Sequence, residues 1–285
     1  MFQWEVNGKR FQIREAESES EYHAIEEIQR VAWGFSDLDI VPAATLIATE
    51  HAGGIVLGAF DGDRMIGFAY GFPAFEEGRT SMHSHMLAVR PEYRNAQVGF
   101  NLKLAQREAT IAKGLDEISW TFDPLQSLNA HLNFAKLGVV SRRYIVNFYG
   151  EATSSPLHQG FGTDRLWVRW LVTSERVTNR LRHDESYKPK TLTPDSLYAA
   201  ALVTGEGELP HLADNLSERL SSDKCLIEIP HNINAIKERD PQAGRNWREA
   251  TRAAFLAAIE AGFAVEDFLK VDAQNGPRWF YLLAR

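Results

Sequence analysis

SMHSHMLAVRPEYRNAQVGFNLKL, residues 81–104, puts two histidines on an apolar run, then a Pro-containing turn, then a glycine where a helical pattern begins. The run 80–89 reads as a strand, and Pro91 ends it because proline offers no N–H to a ladder. From 97 to 113 (QVGFNLKLAQREATIAK) the apolar spacing is that of a helix closing near Gly114. His83 and His85 share one face of such a strand, together with Leu87 and Val89 unless a bulge intervenes. Between strand and helix lies a loop, Arg94 to Gly99. The first amides of a helix and the positive end of its dipole suit an anionic phosphate, and Gly99 lets backbone come close to it.

Outward from this stretch the chain alternates strands and helices. FQWEV and RFQIRE (2–6, 10–15) read as a hairpin through Asn7-Gly8, and 53–72 as a second around Asp61-Gly62. Residues 18–34 carry Tyr22, Ile25, Ile28, Val31 and Ala32 at helical spacing, with Gly34 as a stop, and a further helix is expected over 42–50. After the central stretch come a strand (116–123), a short helix (124–138), a strand (139–150) and another strand (165–173). Residues 34–44 and 73–79 read as loops, 153–163 as a Ser/Pro/Gly-rich loop, and 183–194 as a linker. Beyond it CLIEIP (225–230), a long amphipathic helix (241–261) and two final strands form a smaller α/β unit. Its order of strand, Pro-containing loop, long helix, Gly and strand repeats that of 86–122. The division expected is therefore residues 1–183 and 184–285.

Composition narrows the function. The 285 residues are 44% apolar and 24% charged, with a formal charge of −7. That balance argues for a globular core and against a nucleic-acid binder, which needs clustered positive charge. It is compatible with a cationic substrate such as an amine. Cys225 is the single cysteine, so neither an intrachain disulfide nor a cysteine metal cluster is expected, and it reads as a small buried apolar residue. No leader-like N-terminus and no membrane-length apolar run is present, so a cytoplasmic protein without membrane contact is expected.

V-x-P-x-Y-R-x-x-x-V-G-x-x-L, read over 89–102, resembles the acetyl-CoA-binding motif of the GNAT N-acetyltransferase superfamily, Arg/Gln-x-x-Gly-x-Gly/Ala. Arg94 and Gly99 fit it, and Gln97 stands where the first glycine would be. NAHLNFAKLGV (129–139) is similar to that superfamily's second signature, in the expected order and distance. The resemblance implies an α/β fold with a mixed, mostly antiparallel central sheet flanked by helices, followed by the smaller C-terminal unit. It implies acetyl-CoA as acyl donor. By residue-by-residue transfer, Leu87, Ala88 and Val89 hold the pantetheine arm with their backbone. Arg94, Asn95, Ala96, Gln97, Val98, Gly99 and Phe100 hold the diphosphate. Asn129 contacts the arm or starts its helix, and Phe134 packs on the arm.

S-M-H-S-H-M-L-A-V resembles the corresponding strand of arylalkylamine N-acetyltransferases, whose two histidines form base and proton relay. A primary amine of pKa about 10 is nearly all ammonium at pH 7, and freeing it costs ~4 kcal/mol. An imidazole is suited to that proton. His83 is accordingly expected as base and His85 as relay partner. Phe134 occupies the position where relatives carry a tyrosine acid, leaving Tyr149, or Tyr144, as substitutes. Other readings stay open: a structural histidine pair in the sheet, a His-x-His metal site without a third ligand at usual spacing, or Glu76 or Glu77 as base. Phe72, Phe75 and Trp33 would suit an aromatic or apolar amine. At the level of function, the alternatives are a non-catalytic acyl-CoA sensor and an interaction protein, with a homodimer left open.

Overall fold

The computed structural model describes residues 2–150, 161–182, 200–206, 209–273 and 276–285. The chain forms two compact units. The first holds residues 2–120 with Leu171–Thr173; the second holds 121–150, 161–170 and the described residues from Ser174 onward. The boundary expected at 183/184, like the linker and most of the 153–163 loop, falls outside the described residues.

In the first unit β1 (Phe2–Val6), β2 (Lys9–Glu15), β3 (Ile55–Asp61), β4 (Arg64–Glu76) and β5 (Arg79–Val89) lie side by side, each antiparallel to the next. β6 (Glu117–Phe122) is parallel to β5. α1 (Glu19–Trp33) and α2 (Ala43–His51) cover one face, where Tyr22, Ile25, Ile28 and Leu46 meet Val56, Phe60, Phe68, Tyr70 and Ala88. Burying these side chains removes apolar surface at about 25 cal/mol per Å². The start of α1 follows from Glu21, whose carboxylate accepts the Glu17 and Ser18 N–H groups; Gly34, left-handed at φ 65°, ends it.

α3 (Val98–Ala112) covers the opposite face. It comes close because β4 is small there: a Cβ on Gly67 would lie 3.2 Å from Val98 and 3.4 Å from Leu102. The 73–79 stretch expected as a loop is mostly strand. β4 and β5 stay paired from Gly67↔Val89 to Glu76↔Arg79, and only Glu77 and Gly78 make the turn, both at positive φ.

The second unit pairs β8 (Arg165–Leu171) with β7 (Val140–Ile145), then β12 (Ala264–Ala273), β13 (Gly276–Ala284) and β11 (Lys224–Ile229) in antiparallel order. β9 (Ala201–Glu206) joins β11 in parallel, and β10 (Leu209–Leu212) closes the edge. The motif-bearing 124–138 segment is α4 (Ser127–Ala130) running into a π-helical turn, His131–Leu137, that ends at left-handed Gly138. α5 (Glu175–Leu181), α6 (Leu216–Arg219) and α7 (Ile233–Arg239) are short. α8 (Pro241–Glu260) is long, with Asp240 capping the Gln242 and Ala243 amides. It buries Trp247, Thr251 and Phe255, the stripe its sequence marks out. Among the described residues no helix is long and apolar enough to cross a membrane.

Candidate active site

The two histidines stand at a β-bulge. Gly71 pairs with Ser84 and Tyr70 with Met86, so His85 is an extra residue between them. Phe68, Tyr70 and Phe72 face α1 and α2, which makes the consequence readable side chain by side chain. His83, opposite Phe72, lies on that face, with ring centroids 5.4 Å apart. The bulge keeps His85 there too, 5.5 Å from Phe72 and 5.9 Å from Tyr70. The two imidazoles are 6.3 Å apart. Leu87 and Val89 are turned to the other side, against Gly99 at the head of α3. Had the strand been regular, all four would share one face.

His83 Nδ1 is 3.0 Å from Ser119 Oγ on β6. Burial, then the neighbouring His85 and Lys103, pushes His83 down to about 4, and burial lowers His85 as well. Both rings are therefore neutral at pH 7, the form that accepts a proton. Stability follows the same shift. The unfolded chain takes up a proton at His83 near pH 6.5, whereas the folded chain does so only near 4. The fold therefore keeps this contribution above pH 6.5 and loses it as pH falls from 6.5 to 4. The loss expected is about 3 kcal/mol, and urea midpoints at pH 7 and 4.5 should converge in His83→Gln relative to the unmodified chain.

Below the bulge β5 offers an edge. The parallel ladder to β6 has two registered pairs, Met82↔Ile118 and His83↔Ser119. On the other side Arg90 N–H donates to Ile66 O at 2.8 Å. Antiparallel alternation then turns the peptide groups of Ala88 toward β4 and those of Leu87 and Val89 toward the β6 side. Of the three backbone positions expected to hold an acyl donor, Leu87 and Val89 fit. Ala88 instead lies in the β4 ladder, with its methyl in the core.

The loop that follows is tied down from several directions. Arg90 forms a two-point ion pair with Glu27 of α1 and donates through Nε to Met65 O. Tyr93 donates to Asp61 Oδ2 at 2.9 Å, and Trp4 Nε1 donates to Ala96 O at 3.0 Å. Arg94, Asn95 and Gln97 are exposed. Asn101 N–H is the first to bond within α3, to Gln97 O, so the amides of Val98 and Gly99 precede the ladder and suit a phosphate. Gln97 itself is left-handed at φ 58°, so this glutamine keeps the turn that a glycine would make without strain. Gln97→Gly should raise stability by about 0.5–1 kcal/mol, the relief of left-handed strain less the entropy a glycine adds to the unfolded chain. Thermal melts check it.

The remaining expected residues lie in the second unit. Asn129 is exposed inside α4, whose N-cap is Gln126, so it does not start the helix. Phe134 has no exposed surface: its ring packs on Phe122 and Tyr281. As it stands, that ring serves the core of its own unit and offers no face to a cofactor arm. Tyr149 is half exposed, edge-on to Phe148. Tyr144 is buried and donates to Asp164 Oδ2 at 2.6 Å; burial, with that carboxylate, raises it further from the neutral range. In the first unit Glu76 and Glu77 end the β4–β5 hairpin, four and five residues past Phe72. Trp33 packs edge-on to Phe68, and Phe75 is exposed. Phe72 and Pro73, with Ala44, Thr45, Ala48 and Thr49 of α2 and Ala52 just past its end, line a groove of about 580 Å³ on the face that carries the imidazoles. Among the described residues no group of three or more His, Cys, Asp or Glu is placed to hold a metal ion.

Ser119, Arg90 and Trp4 were not marked by the sequence. Arg90 had a signal, a cation between an apolar strand and a proline. Ser119 and Trp4 had none, since their partners are 36 and 92 residues away.

Residues 15–139 match the acetyltransferase (GNAT) family model. No curated protein matches the sequence. Among solved structures, the chain is similar to the ribosomal-protein-S18-alanine N-acetyltransferase from Escherichia coli: 15% identity, 57% of this chain and 95% of that one, TM-score 0.46. An acetyltransferase of the GNAT family from Streptococcus pneumoniae gives 19% identity, 56% and 97% coverage, and TM-score 0.45. The aminoglycoside 6'-N-acetyltransferase from Enterococcus faecium gives 18%, 57% and 98%, and 0.43.

Proposed function

From the match of residues 15–139 to the acetyltransferase (GNAT) family model, we propose that the chain moves an acetyl or short acyl group from acetyl-CoA to an amine. The amine attacks directly, and the His83–His85 pair handles its proton. The observation that carries this is the bulge, which gathers both imidazoles on the groove side of β5 while the edge below it keeps donors at Leu87 and Val89.

When bound, acetyl-CoA supplies a thioester carbonyl ready for aminolysis. The chain's part is positioning and proton handling. The amides of Val98 and Gly99, with the exposed Arg94 beside them, hold diphosphate at the positive end of α3. The N–H groups of Leu87 and Val89 align the acyl arm and polarise its carbonyl. A side-chain nucleophile is not needed, and Cys225 is buried with its thiol pushed up to about 12, first by burial.

His83 acts as a relay more than a store. Leaving an amine's proton on a group of pKa about 4 would cost roughly 8 kcal/mol, against ~4 kcal/mol for delivering it to water at pH 7. His83 therefore holds the proton only while the nitrogen attacks, and passes it on afterwards, by way of the exposed His85, to solvent. The groove beside Phe72 has no charged lining, so it suits an uncharged part of the acceptor.

Calorimetry with CoA, followed by acetyl transfer across a panel of primary amines, tests the reading. Saturable CoA binding with turnover is the expected result. Binding without turnover on any amine would select the acyl-CoA sensor, and no CoA binding would end both.

A further inference from the structure

Lys103 faces the sheet from α3, in the buried stripe that includes Val98, Leu102, Ala105, Gln106 and Thr110. At 5% exposure its ammonium is costly unless something holds it. It donates to Ser84 Oγ at 2.8 Å and to Gln106 Oε1 at 3.3 Å, and stands 3.7 Å from the centre of the Trp120 ring. Two acceptors and an aromatic face thus satisfy its three protons, and among the described residues no carboxylate pairs with it. Burial pushes Lys103 down to about 7. A leucine would fill this place at far lower cost, so the lysine calls for a reason.

Ser84 supplies one. It is the last residue before the bulge, opposite Gly71. A bulge shifted by one residue, onto Ser84, would set His85 opposite Gly71 and turn its ring to the α3 face, away from His83 and Phe72. The bond from Lys103 opposes that shift, because the extra residue of a bulge leaves the ladder, and a bulged Ser84 would no longer stand opposite Gly71 where its hydroxyl meets the ammonium. Gly71 completes the arrangement: a Cβ there would come within 2.8 Å of His83 O and 3.1 Å of Gln106 Nε2. Gln106 in turn has its Oε1 on the ammonium. The same helix presents its first amides to the diphosphate loop, so one rigid element registers both the loop and the bulge.

We propose that Lys103 is a positioning residue, which holds Ser84 against α3 and thereby pins the bulge that keeps His85 beside His83. The inference rests on the reading of the histidines as the proton-handling pair, but the placement of the His85 ring can be read without turnover.

Ser84→Ala removes the acceptor and keeps the charge; Lys103→Met removes the donor. Each is compared with the unmodified chain by imidazole nuclear magnetic resonance, CoA calorimetry and steady-state kinetics. Both variants are expected to shift the His85 ring resonances and lower kcat about 10²-fold, with the CoA Kd within about threefold. The double variant should lose no more than either single one, because one contact is removed twice. Unmoved His85 resonances in a folded Ser84→Ala protein would overturn the proposal, as would a loss confined to Lys103→Met. If Lys103→Met does not fold, Ser84→Ala decides alone. Should His83→Ala leave turnover intact, the proton role fails while the His85 resonances still test the pin.

Discussion

Replacing His83 with alanine is expected to lower kcat/KM for a primary amine about 10²–10³-fold at pH 7, and the defect should close as pH approaches the amine's own pKa. With the base present, the reacting forms are neutral imidazole and ammonium. The rate should then be level from just above the His83 pKa, about 4, to the amine's near 10. Without it, only free amine reacts, and the rate should climb tenfold per pH unit across neutrality. The unmodified chain should show no bend near 6.5, where an ordinary imidazole titrates, since burial with His85 and Lys103 has moved His83 below that range. Profiles for both proteins, with CoA affinity measured alongside, decide the matter. Parallel profiles with a constant offset would make His83 a packing residue, and a shared slope through neutrality would mean that solvent removes the proton.

The elements around this site were legible where local chemistry decides them. The 18–34 helix, the Asp61-Gly62 hairpin and the 97–113 helix are written in spacing, caps and turn residues, and they form as α1, the β3–β4 turn and α3. The shared face of His83 and His85 was legible for the same reason. What was not legible depends on partners far along the chain. The bulge is decided by how β5 registers on Gly71, so period-2 reading alone gives Leu87 and Val89 the wrong face. Lys103 reads as a solvated helix charge until Ser84 and Trp120 are found beneath it. Likewise β9 and β10 escape notice because Gly205 and Pro210 look like turn residues, yet they pair with each other directly.

The largest effect on stability is expected in the second unit, from Asp123→Asn. Asp123 and Arg248 form a two-point ion pair at 2.8 and 2.9 Å, and both are almost fully buried. Burial pushes the carboxyl up, but Arg248, Lys237 and Arg165 together outweigh it and hold Asp123 at about 2. A buried pair adds little by its existence, yet removing one partner strands the other, at about 3–5 kcal/mol. Here the two halves are not equivalent. Asp123→Asn leaves three cations facing a neutral amide, whereas Arg248→Met leaves the carboxylate with Lys237 and Arg165. Asparagine at 123 should therefore cost more than methionine at 248, although methionine also forfeits the Arg248 Nε bond to Phe161 O. Partial relief is expected in the double variant, whose remaining cations still lack Asp123, so the two costs should not add. Acid should act as the asparagine does: the contribution is intact above pH 4 and fades as pH falls through about 2, a loss of about 2 kcal/mol. Urea unfolding of the three variants at pH 7 measures all of this. Equal costs for the two single changes would mean that Lys237 and Arg165 do not feel Asp123, and the cluster would then reduce to one isolated pair.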